Sequence, residues 1–388
     1  MRSAYNEKGL YDLLVIKEAK RWWKQRYIAE DQYDAIRAAH KSPFYHPHLI
    51  IRILLFVATL MALSGVTGLF LAFLSDIGET GLSVASVLYG AGSFFFLKKV
   101  FIEGSHHYKS GVTEALLYHA CAYTLGGIAV MTDFHPHLML FISWMIFSYM
   151  AARFLDLIST LAAVLSLSGL LFYEFYNLSG IFQQVIPFIF IGSFTPVYWV
   201  AKRLKEQKEY RLWSNNLILI ESLSLILIYL AGNYLVVREL SVNLMSLNLE
   251  PGDDIPFAFV FYILTILLPI GYLYFGIKNK DVVLLRVSLV LVACSVLTFK
   301  YYYGFGRPEI SLTVAGAIVL IISFALFRYL KTVRCGFTVE NLLAEKWGEA
   351  NLQAFIMSQT LGGNQVTASE SVKSGGGEFG GGGASGSF

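Results

Sequence analysis

LIIRILLFVATLMALSGVTGLFLAFL, residues 49–74, is the stretch that decides the fold. Its single charge, Arg52, sits near one edge, and the rest is an apolar run without alternating polar positions. A helix needs about 20 such residues to cross the hydrocarbon core, because in lipid every backbone N–H and C=O must find its partner inside the segment. A barrel strand would be shorter and would alternate. Comparable runs recur as far as Leu330. The expected spans are 49–74, 82–102, 112–131, 138–154, 157–176, 181–201, 212–237, 256–277, 282–302 and 310–330. The fourth and fifth are parted only by the turn from Arg153 to Asp156. The fold class read from this pattern is all-α: a polytopic helical membrane protein with about ten transmembrane helices.

Composition agrees with that class. Of 388 residues, 56% are hydrophobic and only 15% charged, against roughly 25% charged in soluble domains. The net charge of +3 is small and comes mostly from the loops, so it carries orientation and not a nucleic-acid footprint. Cytoplasmic loops are enriched in Lys and Arg. Here the enrichment falls on alternate connections: the N-terminal segment (Lys17, Lys20, Arg21, Lys24, Arg26), then Lys98 to Lys109, Arg153, Lys202 to Arg211, Lys278 to Lys280, and the flank after Arg328. Residues 75–81 and 132–136 have none, while Arg238 and the stretch from Lys300 to Arg307 break the pattern. Both termini are thereby expected in the cytoplasm, with an even helix count. Met1 to Lys41 is too polar for a secretory signal. The three cysteines, Cys121, Cys294 and Cys335, are odd in number and argue against a disulfide framework.

Four regions follow. Residues 1–48 form a cytoplasmic helical hairpin, with Leu10, Leu13, Leu14, Trp22 and Trp23 at helical spacing and a second helix starting near Ile28. It is expected to lie at the interface or to pack on the cytoplasmic loops. Residues 49–331 form the bundle, 332–372 an amphipathic cytoplasmic helix, and 373–388 a Gly-rich tail that buries too little apolar surface to order itself.

The segment AKRWWKQRYIAEDQYDAI, residues 19–36, followed by a first span with basic flanks, resembles the N-terminal signature of the bacterial domain-of-unknown-function family 2157. The exit of the last span, from Phe299-Lys-Tyr-Tyr-Tyr303 through Arg328-Tyr-Leu-Lys331 and Gly336-Phe-Thr338, is similar to uncharacterised membrane proteins of Bacteroidetes type. The resemblance implies an architecture and a place in the cytoplasmic membrane of a bacterium, and brings no catalytic residues with it. Ala29 stands where such a helix start would have Ser or Thr as cap, although Gln32 keeps the reciprocal position.

Ionisable groups inside spans cost at least roughly 2.5 to 3.5 kcal/mol each, so Glu221 and His119 are the leading polar candidates. Glu221 suits a proton or cation site; it also suits a hydrogen-bonded carboxyl joining two helices. His119 can be satisfied by one neighbouring hydroxyl or carbonyl. Glu114, Glu174, Arg286 and Lys300 lie near enough to span ends to snorkel. The triplets His46-Pro47-His48 and His135-Pro136-His137 fall on opposite sides by the charge pattern, which argues against pooling them as metal ligands. No HExxH, Walker loop, GxSxG or CxxC pair occurs. No cofactor or metal is expected, and no enzyme activity.

Ten spans divide into two sets of five, the second inverted relative to the first. Ser64, Gly65 and Gly68 interrupt the first span; Gly192 and Pro196 interrupt its counterpart, the sixth. Paired interruptions of this kind mark midplane sites in secondary transporters, and the same small residues also simply permit close packing. The sequence thus predicts a non-enzymatic scaffold or sensor, its partners the lipid bilayer and a cytoplasmic protein reached through the terminal appendages, with no nucleic acid. The alternative is a secondary transporter with a five-plus-five inverted-repeat core.

Overall fold

The polar N-terminus folds as a hairpin ahead of the membrane part. Helix α1 (Glu7–Lys24) starts where the Asn6 side chain accepts from the N–H groups of Lys8 and Gly9, and α2 is Glu30–Ala39. Ala29 offers no cap of its own, but Gln32 Oε1 accepts its N–H at 3.1 Å, so half of a capping box remains. Trp23 stacks on Tyr33 with ring centroids 5.3 Å apart and closes the hairpin. In this computed structural model, the described residues are 3–74, 76–178, 181–244 and 253–303, with isolated helical positions at Ala317, Leu320, Ile321, Phe324 and Arg328.

The bundle follows as α3 (Leu49–Phe73), α4 (Gly78–Phe96, continued by a π-helical segment Leu97–Gly104), α5 (Val112–Met131), α6 (Pro136–Phe154), α7 (Leu157–Asn177), α8 (Ile181–Glu206), α9 (Ser214–Gly232), α10 (Tyr234–Asn243), α11 (Ala258–Lys278) and α12 (Val282–Tyr303). Among the described residues, eight helices are long and apolar enough to cross a membrane: α3, α4 with its extension, α6, α7, α8, α9 with its lead-in turn, α11 and α12. The chain is therefore an all-α, multi-pass membrane protein. The expected third span, α5, is a helix of full length, yet Glu114 and His119 leave it outside that set of eight. It is instead the packed centre of the first half, with Val112 to Leu117 all buried. The tenth expected span belongs to a separate unit, Tyr303–Phe388; apart from the isolated helical positions it lies outside the described residues, as do the amphipathic helix and the Gly-rich tail.

Two expectations are revised. The span 212–237 is broken: α9 stops at Gly232, Asn233 is extended (φ −83°, ψ 123°), and α10 begins at Tyr234. Asn233 is the cause. Its Nδ2 donates to Tyr229 Oη at 2.8 Å and Thr298 Oγ1 at 2.9 Å, and its Oδ1 accepts the Val236 N–H at 3.2 Å, so the side chain caps a new helix instead of continuing the old one. Helix pairing, moreover, does not repeat in register between halves. α8 lies along α9, whereas their positional counterparts α3 and α4 each pack on α5.

Candidate functional site

Buried charge collects at one end of the bundle, where α3, α5, α7, α9 and α12 begin and α4, α6, α8 and α11 end. The turn between α6 and α7 is its hub. Leu155 takes a left-handed conformation (φ 55°), which frees Asp156 to cap α7 by accepting the Ser159 N–H at 2.7 Å. The other Asp156 oxygen accepts from Tyr118 of α5 at 3.0 Å. Asn216 of α9 donates to Asp156 O at 3.0 Å and to Thr160 Oγ1 at 2.7 Å, and Trp213 Nε1 donates to Ala152 O at 2.8 Å. Beside it, Arg52 of α3 pairs with Glu114 of α5, whose other oxygen accepts the Gly111 N–H at 2.8 Å. Glu114 is thus a buried helix cap and not a snorkelling side chain. Gly111 has φ +93° and a Cβ there would lie 2.1 Å from Arg52 O, so only glycine fits this entry to α5.

The N-terminal segment seals this hub. Ala4 N–H donates to Arg153 O at 2.7 Å, and Tyr5 meets Phe44, Tyr108 and Phe154 edge to face. Tyr5 and Leu10 share one buried cluster with Leu97, Ile102, Val112 and Cys121. A cavity beneath Tyr5 is lined by Lys109, Thr113, Glu114, Leu117, Phe154 and Asp156. Burial, then the Glu114 charge, pushes the Tyr5 hydroxyl pKa well up, and burial lifts Tyr108 to about 12. Burial, with the Arg52 charge behind it and a smaller push from Lys17, holds the Lys109 ammonium below its ordinary value.

Glu221 lies ~10 Å into α9 and is fully buried. Lys205 of α8 reaches it and forms an ion pair, while Oε1 of Glu221 has no hydrogen-bond partner among the described residues. One turn back on α8, Lys202 pairs with Asp281 in the α11–α12 turn at 2.7 Å and donates to Tyr198 Oη at 3.3 Å. Burial opposes ionisation of Asp281, but the bonds from Lys202 and the Leu284 N–H outweigh it and hold the carboxyl below its usual range. Tyr272, packed against the same cluster as Tyr198, keeps its hydroxyl buried without a hydrogen-bond partner among the described residues.

The other candidates fall elsewhere. His119 lies between Thr67 and Ser93, 3.3 Å from each hydroxyl, with Tyr89 and Tyr123 against its ring: a satisfied imidazole joining α3, α4 and α5. Ser64, Gly65 and Gly68 lie in an unbroken α3, and Gly192 and Pro196 in an unbroken α8. A Cβ at Gly65, Gly68 or Gly192 would meet nothing within 4 Å. Among the described residues none of these five shares a hydrogen bond or ion pair with the Glu221 side chain, which is held by Lys205. His46 and His107 sit at the hub end, bonded to Tyr108 O and Ser110 Oγ, and His137 pairs with Glu174. Among the described residues no three His, Cys, Asp or Glu side chains converge as a metal-ligand set. Sequence reasoning missed Asp156, Lys202, Lys205, Asp281 and Asn233. Asp156 and Asp281 each carried a local signal, as helix caps directly before Leu157 and Val282; the others depend on which helices meet. No protein-family model, no curated protein and no solved structure matches the chain.

Proposed function

We propose that the protein is a non-enzymatic scaffold or sensor of the bacterial cytoplasmic membrane, with both termini in the cytoplasm and the N-terminal hairpin as its reporting element. The observation that supports this reading is the seal at the hub. Ala4, Tyr5 and Leu10 are packed into the same core as α4, α5 and α6, and Ala4 is bonded to Arg153 at the end of α6, so a change in helix packing is felt by the hairpin. A tethered but unpacked appendage would transmit nothing. The Trp-containing helix that resembles family 2157 is this same element. Mass spectrometry of proteins that co-purify from native membranes tests the reading: a partner held by the full chain should be lost when residues 1–45 are removed. Identical partners and an unchanged phenotype would sink it.

A second reading, secondary transport, is favoured by one feature, the fully buried Glu221 with an unpartnered oxygen. It would run through α8, α9 and α11 and not through the small-residue positions in α3. Unchanged uptake of every candidate solute by Glu221→Gln would remove it.

A further inference from the structure

One side of α1 changes character along its length. Leu10, Leu13 and Leu14 continue at helical spacing as Lys17, Lys20, Arg21 and Lys24. Leu10 is 3% exposed, packed into the end of the bundle with Leu97, Ile102 and Val112. The basic residues on the same side are exposed. The opposite side holds buried Ala19 and half-buried Trp23, the latter stacked on Tyr33 of α2. The basic stripe therefore does not face the hairpin partner. It faces the way Leu10 faces, toward the membrane end of the bundle, and Lys24 lies ~20 Å further along the axis. Gly9 accepts from Ser42 Oγ at 3.1 Å, seven residues before the first span begins at Leu49, which anchors that end of α1 beside the entry to the membrane. Among the described residues, only Glu18, 4.0 Å from Arg21, puts an opposing charge in contact with the stripe.

We propose that Lys17, Lys20, Arg21 and Lys24 form a docking surface for the anionic headgroups of the surrounding bilayer, with α1 lying along the headgroup plane as it leaves the bundle. Basic residues close to an anionic surface each strengthen association severalfold, within a Debye length. The inference goes beyond the scaffold reading and holds whether or not the hairpin carries a protein partner.

The test uses the full chain in nanodiscs of phosphatidylcholine with phosphatidylglycerol, extracted into mild detergent, with retained lipid counted by mass spectrometry. The variant K17Q/K20Q/R21Q/K24Q should retain roughly tenfold less phosphatidylglycerol than wild type at low salt, while K98Q/K99Q, on another connection at the same end, retains nearly all of it. Equal retention by wild type and the α1 variant would overturn the proposal and leave the stripe to an acidic protein. Equal loss in both variants would also overturn it, because the attraction would then belong to the whole end. Should the α1 variant fail to fold, wild type alone decides: retention must fall steeply in high salt, and salt-insensitive retention rejects the headgroup contact.

Discussion

A carboxylate inside a membrane helix must be neutralised, and Lys205 does this for Glu221 from the last turn of α8. The two partners are not equivalent. Glu221 is fully buried, whereas Lys205 is 21% exposed and has a long stem, so it can turn its ammonium to the interface when released. Lys205→Met strands a buried charge and should cost roughly 3 to 5 kcal/mol. Glu221→Gln should cost clearly less, and Glu221→Leu with Lys205→Met should recover most of the loss. Thermal unfolding midpoints of the purified protein would rank the three; equal losses from the single variants would reject the asymmetry. His107 gives a pH test at the same scale. Burial lowers its pKa, so between the folded and unfolded values the unfolded chain binds more protons, and stability rises with pH through that window and falls on acidification below the ordinary value of 6.5. His107→Gln should flatten the midpoint against pH between about 5 and 7. The candidate residues Glu221 and His119 stood out in the sequence because a polar residue in an apolar run is conspicuous. Their partners did not, since Lys205 reads as one more loop charge until α8 and α9 are seen to pair.

At the scale of elements, the glycines that matter are not those that interrupt the spans. A Cβ at Gly90 of α4 would lie 2.4 Å from Thr124 Oγ1 and 2.8 Å from Ala120 O, and one at Gly127 of α5 would lie 2.6 Å from Ser83 O. These two let α4 and α5 approach backbone to backbone, as small residues do between membrane helices. Gly90→Ala and Gly127→Ala must push the pair apart, at a cost of roughly 1 to 3 kcal/mol each. Gly65→Ala and Gly68→Ala meet open space and should be neutral or slightly stabilising. Midpoints that fall equally in both pairs would show that the α4–α5 contact is not the seat of the effect. The sequence pattern told helix from strand, and eight of the expected spans are helices long and apolar enough to cross a membrane among the described residues. It was blind to the break at Asn233, because an Asn within an apolar run gives no warning until Tyr229 and Thr298 stand ready to hold its amide. Asn233→Leu removes the cap of α10 and both amide bonds, and should destabilise by roughly 1 to 3 kcal/mol.

For the whole molecule, the question is whether the hairpin and the membrane bundle respond as one body. Membrane class and the presence of the hairpin were legible in composition and periodicity, because both are properties of local sequence. The docking of hairpin on bundle was not, since it depends on Tyr5 meeting Phe154 across about 150 residues of chain. Cys121 reports on that contact. It is 3% exposed, in the same cluster as Tyr5 and Leu10, so a thiol reagent reaches it only when the cluster opens. In a chain carrying Cys294→Ser and Cys335→Ser, Cys121 should be labelled slowly. Tyr5→Ala removes a buried aromatic ring whose loss costs roughly 3 kcal/mol or more, and local opening should then speed labelling by roughly tenfold or more. Lys8→Gln, on an exposed position of α1, should leave the rate unchanged. If Tyr5→Ala labels no faster than wild type, the seal over the hub does not control the core beneath it, and the hairpin is mechanically independent of the bundle. If the rate rises while the global unfolding midpoint barely moves, the N-terminal seal is a local unit that opens on its own, as the proposed sensor role requires.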